Sequence, residues 1–235
     1  MDMALAAGAT SLALMLFAIG GAVPSDQPLA RRLGWIPSGL PPAVLVALVL
    51  GMLATSQIVE EAIALAGFED VGNLAEFRRV VAGTPNAQLL PSLVGLALLP
   101  GLGEELALRG WIQRGLEPRW GARAAVVTSA ALFGLLHGEV VHAVGAFFLG
   151  LYLGAVVALS GSLRPAVLCH VVNNLVATLG AAWGVSAAGF VLLVSGVVAG
   201  PWAMRQLWLR RRPAPAPLGE NPQVPAPDDP RPPTP

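Results

Sequence analysis

The feature that most constrains this chain is a succession of apolar runs near 20 residues long, the length a helix needs to cross a hydrocarbon core. Leu5 to Val23 is the first. Asp2 precedes it in place of a basic flank, and no clear small-residue cleavage site follows. It therefore reads as a retained helix, not a cleaved signal peptide. Ala43 to Val59 is the second run, and the third starts near Leu89 and extends to about Gly115. Ala124 to His137, Ala143 to Ser160, Leu163 to Ala182 and Ala187 to Leu207 complete the series. The expected fold is all-α, a polytopic membrane bundle of about seven helices.

Composition agrees with that expectation and excludes other classes. Of the 235 residues, 55% are apolar and 12% charged, against about 25% charged in a soluble domain. Mean hydropathy is +0.67. Fourteen basic residues, all Arg, balance fourteen acidic ones. With no charge excess and no long block of like charge, nothing points to a nucleic-acid partner. The single cysteine, Cys169, excludes an internal disulfide and a Cys-cluster metal site.

The segments between the runs divide by charge. Pro24 to Pro42 is a connector with Arg31 and Arg32. Glu60 to Gln88 is polar and net acidic, and its first half is expected to form an interfacial helix. Pro118 and Gly121 mark a turn. Under a seven-span count, Arg31 and Arg32, the Arg114–Arg123 turn, Arg164 and Arg210–Arg212 share one side, and the acidic loop takes the other. The positive-inside rule then puts the Arg side in the cytoplasm and the N-terminus outside. From Pro213 to Pro235 the chain has ten prolines. That tail is expected to be a disordered, cytoplasmic, polyproline-like extension. Three regions are expected: 1–88, N-terminal membrane helices with the polar loop; 89–209, a catalytic membrane core; and 210–235, the Pro-rich tail. The expected location is a bacterial inner membrane.

Charged groups inside a span are expensive, about 2.5–3.5 kcal/mol each, so those that remain mark function. The third run is interrupted by Glu104, Glu105 and Arg109. Glu105 and Arg109 are four apart with Glu first, so they can pair on one helical face. Glu104 points about 100° away and has no partner at that spacing. A carboxylate left free in a dry site suits a general base or acid. Phe133 and His137 are also four apart, as are His170 and Asn174, each pair on one face. Glu104 lies roughly 20 Å, and His137 roughly 24 Å, along their helices from the Pro118–Gly121 turn; His170 lies roughly 14 Å from Gly161. With modest tilt, all three can meet in one layer, expected to be reached from the Arg-rich side. His142, beside Glu139, reads as an interfacial residue. Cys169 points away from His170 and reads as a buried structural thiol. Trp111, Trp120, Trp183, Trp202 and Trp208 fall near run ends and read as interfacial anchors.

Taken together, these segments resemble the CPBP family of intramembrane proteases, which includes the type II CAAX prenyl endopeptidases and the bacterial Abi proteins. The family pattern EExxxR, FxxxH, HxxxN is matched by Glu104-Glu105-x-x-x-Arg109, Phe133-x-x-x-His137 and His170-x-x-x-Asn174. The flanks Arg109-Gly110 and Gly161-Ser-Leu-Arg-Pro165 also match, and the resemblance covers about residues 91 to 178. It implies hydrolysis of a peptide bond in a membrane-associated protein or peptide, within or beside the bilayer. Glu104 and His137 would activate water, and His170 and Asn174 would stabilise the oxyanion. Glu105 and Arg109, with Phe133, would support the site structurally, although the roles of the two glutamates are exchangeable at this level.

No HExxH motif is present, and the family's glutamate mechanism needs no metal, so no cofactor is expected. The alternative is a zinc enzyme ligated by His137, His170 and Glu104. A non-catalytic immunity or transport protein is a further alternative. A transporter would be expected to show paired, repeat-related broken helices, and no internal repeat is evident.

Overall fold

The computed structural model describes residues 2–24, 26–184 and 188–210. The Pro-rich tail beyond Arg210 lies outside the described residues. Those described form an all-α bundle with the elements α1 (Asp2–Ala22), α2 (Leu29–Arg32), α3 (Pro42–Leu65), α4 (Gly72–Ala82) and α5 (Asn86–Leu93). Then come a π-helix, π1 (Val94–Leu98), α6 (Leu99–Glu104), a second π-helix, π2 (Glu105–Gln113), α7 (Arg114–Leu136), α8 (Val140–Ser160), α9 (Arg164–Trp183) and α10 (Ala188–Arg210).

Among the described residues, five stretches are long and apolar enough to cross a membrane: Met3–Ala22, Pro42–Leu65, Asn86–Leu136, Val140–Ser160 and Arg164–Trp183. The third contains two legs. Gly121 breaks α7 with φ 75° and ψ 161°, a backbone that glycine adopts without steric cost. Beyond it the chain doubles back, so that Ser129 Oγ donates to the Leu108 carbonyl at 3.1 Å. The turn expected at Pro118–Gly121 is therefore where this reversal occurs.

Two expectations for this region change. The third run begins at Asn86 and is only partly α-helical, because its middle widens into π1 and π2. The expected polar connector from Glu60 is instead split. Glu60 and Glu61 extend α3 to Leu65, and α4 follows as a separate helix packed on α9 and α8. The placement of α4 rests on contacts distant in sequence, which local pattern does not carry.

The bundle has two unlike ends. At one, Arg114 donates from Nη1 to the Gly161 carbonyl at 3.3 Å, and Leu163 N–H donates to the Gly34 carbonyl at 2.8 Å. Ser162 Oγ donates to the Ile36 carbonyl at 2.6 Å, and Arg164 lies over the Trp35 ring. The connectors carrying Arg31, Arg32, Arg114 and Arg164 are thus one assembled surface. Directly beneath it lies the main apolar core: Leu48 and Met52 of α3, Leu153 and Val156 of α8, Ala166 and Cys169 of α9, and Leu207 of α10. At the other end, α4 caps the bundle. There Asn73 donates to the His137 carbonyl at 3.2 Å and Arg78 lies 3.8 Å from Glu60. Glu139 caps α8 by accepting from the N–H groups of Val141 (2.7 Å) and His142 (3.0 Å), which hold its carboxyl below the usual carboxylate range.

Trp120, Trp183, Trp202 and Trp208 are exposed, as anchors would be. Trp111 is different: it packs against Ala18 and Ala22 of α1 and meets Phe17 edge-on, with ring centroids 4.7 Å apart.

Candidate active site

The polar half of the bundle is built from α6 outward. Helix α6 comes close to α9 because Gly101 has no side chain. A Cβ there would stand 2.6 Å from Val171 Cγ2 and 3.0 Å from the Val171 backbone nitrogen. Gly103 does the same against α1, where a Cβ would stand 2.5 Å from the Ser11 carbonyl oxygen. The end of α6 is thereby pressed between α1 and α9, bringing Glu104 and Glu105 beside His170.

Adjacent on the helix, the two glutamates have different surroundings. Glu105 is fully buried, and its Oε1 accepts from Arg109 Nη1 at 2.6 Å and from His170 Nδ1 at 3.0 Å. Arg109 is also fully buried; its Nη2 donates to the Gly150 carbonyl at 3.1 Å, and its guanidinium lies 4.5 Å from the Phe133 ring centre. One turn on, Gln113 donates to the Gly154 carbonyl at 3.0 Å. A cluster around one ion pair therefore ties π2 to α7, α8 and α9. Paired, hydrogen-bonded burial is the condition under which charges persist in a dry interior. Glu105 and Arg109 lie in the first turn of the π-helical stretch, a distortion often found at functional sites.

Glu104 faces the other way. Its carboxylate retains 18% exposure, lines a cavity of about 410 Å³, and stands 3.7 Å from His170 Nε2. That separation is too long for a direct hydrogen bond. Phe133, His137, His170 and Asn174 line the same cavity. His137 sits at the end of α7, with its Nδ1 2.8 Å from the Phe133 carbonyl. A carbonyl only accepts, so Nδ1 carries the proton and Nε2 is left with a lone pair when the ring is neutral. Phe133 meets both histidines edge-on, at 5.0 Å from His137 and 5.5 Å from His170.

The structure therefore brings Glu104, His137, His170 and Asn174 to one cavity. Glu105 and Arg109 lie buried behind it and do not line it. The two carboxylates that looked exchangeable in the sequence differ here in access and in partners.

Sequence reasoning missed part of the lining. His142 was expected at the interface, but it lines the cavity with its ring 4.2 Å from that of His137. Asn173, Asn73 and Phe77 also line it, as do Met3 and Ala7 of α1. Ser56, Val59, Glu60 and Ile63 of α3 contribute a face at spacings of i, i+3, i+4 and i+7. That spacing is readable in the sequence, and it puts Ser56 and Glu60 on one stripe of a mostly apolar helix.

The cavity does not lie at the Arg-rich end of the bundle. The lining comes from the last third of α3, the start of α8, the far end of α7, and α4, all opposite the Arg-rich connectors. The apolar core fills the Arg-rich half, so the cavity lies in the other half. The cause is helix length: Glu104 and His137 each lie about 16–17 residues from the break at Gly121, roughly 25 Å along the helix.

Among the described residues, no group of three or more His, Cys, Asp or Glu side chains is arranged to hold a metal ion. His137, His170 and Glu104 share the cavity without forming such a ligand set. Cys169 is buried in the apolar core, away from the cavity lining.

Residues 86–176 match the family model described as type II CAAX prenyl endopeptidase Rce1-like. No curated protein and no solved structure matches the chain.

Proposed function

We infer from this match, which supports assigning residues 86–176 to the CPBP family of CAAX-type proteases, that the chain is an intramembrane endopeptidase. It hydrolyses a peptide bond of a membrane-associated protein or peptide. One observation carries the reading: the four motif residues Glu104, His137, His170 and Asn174 line a single cavity, while Glu105 is held outside it by Arg109.

In this reading a water molecule sits between Glu104 and His137. Glu104 accepts a proton as the water oxygen attacks the carbonyl carbon. The neutral His137 ring has its free lone pair at Nε2, where it orients the same water or relays the proton to the leaving amine. Such positioned proton transfer contributes roughly 10²–10⁴-fold. The developing oxyanion is met by the Asn174 amide and by His170 Nε2. With Nδ1 donating to Glu105, Nε2 can donate to that oxyanion only when the His170 ring carries both protons. Donors already in place in a water-poor site are the strongest single contribution to many hydrolytic reactions. No metal takes part in this scheme.

The test is proteolysis of a native membrane substrate by the wild type and by Glu104→Gln and His137→Ala. Each substitution is expected to abolish cleavage without lowering the amount of folded protein. Wild-type activity in both would sink the assignment. The substrate is found first, by comparing membrane proteomes with and without the gene for accumulated precursors.

A further inference from the structure

We propose that the catalytic cavity opens on the non-cytoplasmic face of the membrane, so that the substrate is a peptide segment exposed there beside a membrane span and not a cytoplasmic C-terminus. This rests on the proteolytic reading above and adds to it the side on which the bond is cut.

Two independent observations meet in this inference. The first is charge. One end of the bundle joins the connectors of Arg31, Arg32, Arg114 and Arg164 through direct contacts. Arg119 and Arg123 flank the Gly121 break at the same end. Helix α10 also ends there with Arg210, since Leu207 packs in the same core cluster as Val44 at the start of α3. The opposite end carries Glu60, Glu61, Glu69, Asp70, Glu76 and Glu139, with Arg78 and Arg79. One of those two arginines, Arg78, is engaged with Glu60 and the Glu69 carbonyl. Basic residues in short loops set orientation with the Arg-rich side in the cytoplasm.

The second observation is where the empty space lies. Every helix that lines the cavity does so in the portion nearer the acidic end. Helix α3 contributes 56–63 and not 44–53, α8 contributes 142–149 and not 153–157, and α9 contributes 170–178 and not 163–169. The excluded portions are the apolar core. A chain entering from the Arg-rich side would have to displace that core. On the acidic side, among the described residues, α4 stands over the cavity with Asn73, Leu74 and Phe77 in its wall. It is tied down by the Asn73–His137 bond and by the partly exposed Arg78–Glu60 pair at 3.8 Å. Exposed ion pairs of this kind hold weakly, so the route past α4 is the one of least cost.

The experiment is cysteine labelling of the full chain in intact cells with a membrane-impermeant maleimide. The native Cys169 is 1% exposed and gives little background. Glu76→Cys reports on α4, Ser56→Cys and Ala177→Cys on the cavity wall, and Arg119→Cys on the opposite turn. Glu76→Cys and at least one wall variant should label in intact cells to the extent seen after permeabilisation, and Arg119→Cys should label only after it. Any other pattern overturns the inference. In parallel, the cut sites of precursors that accumulate in a Glu104→Gln strain are mapped against the topology of each precursor. Sites on the non-cytoplasmic side are expected, and cytoplasmic sites overturn the inference. If no precursor accumulates, the proteolytic reading fails, and labelling alone then decides which way the cavity opens.

Discussion

Replacing Arg109 with Met removes the only cation within hydrogen-bonding distance of Glu105 on its own helix and leaves a fully buried carboxylate beside His170. Met keeps most of the side-chain volume, so packing against Phe133 is largely retained. Four contributions are lost: the 2.6 Å bond to Glu105, the 3.1 Å bond to the Gly150 carbonyl, the compensation of charge, and the cation–ring contact at 4.5 Å. Removing one partner of a buried pair costs about 3–5 kcal/mol, chiefly because the other charge is stranded. Against a typical total of about 5–15 kcal/mol, that is a large fraction. The double variant Glu105→Gln/Arg109→Met removes both charges, and the Gln carbonyl still accepts from His170 Nδ1. It should therefore be more stable than Arg109→Met alone, although one substitution more distant from wild type. Glu104→Gln, in a cavity wall with no direct hydrogen bond, should shift stability by about 1 kcal/mol or less. The assay is denaturant or thermal unfolding in detergent micelles, run on wild type, Glu105→Gln, Arg109→Met and their double to complete the cycle, with Glu104→Gln alongside. If Arg109→Met is no more destabilising than Glu104→Gln, or if the double variant is worse than the single, the buried pair does not hold the site as argued.

Asn174→Ala should lower kcat by about 10²–10³ with little change in KM, as loss of an oxyanion donor does. A rise in KM alone would instead make it a substrate-binding residue. Gly101→Val drives a side chain into Val171 beside His170 and should cost about 1–3 kcal/mol by overpacking. Activity should fall with it, whereas stability falling with activity unchanged would show that the α6–α9 approach does not set the site. Treatment with a chelator should leave proteolysis unchanged, and loss of activity that added zinc restores would refute the metal-independent scheme.

The motif residues were legible because they are polar groups in apolar surroundings. Glu104, His137, His170 and Asn174 stand out in any hydropathy trace, and the four-residue spacings already pair Glu105 with Arg109. The all-α bundle was legible for the complementary reason, since runs near 20 apolar residues admit few alternatives. Less accessible was anything set by approach between distant segments. Nothing in Val94–Leu98 or Glu105–Gln113 marks a π-helix; π1 packs on α1 and α9, and π2 on α1 and α7, segments outside the local pattern. His142 looked like an end-of-helix residue. It joins the cavity because the loop at Gly138, with φ 69°, turns α8 back immediately after His137. The half of the bundle that holds the cavity was likewise not legible, because it depends on where the apolar core of α3, α8, α9 and α10 packs shut.

The adjacency of Glu104 and Glu105 follows from helix geometry more than from any need for two acids in one place. Successive residues project about 100° apart. Two consecutive carboxylates on a helix at the rim of a cavity therefore divide between packing and open space. The packed one must be neutralised or the helix end is unstable, and Arg109 one turn on does this. Its second amino group and its ring contact then reach α8 and α7. A buried pair adds little net stability compared with apolar replacements. What it adds here is placement: Glu105 Oε1 accepts from Arg109 and His170 at once, so the His170 ring is oriented by the same atom that anchors π2. Rotation of α6 that would carry Glu104 out of the cavity must break both bonds. The buried Glu105 carboxylate thereby fixes the direction in which Glu104 points.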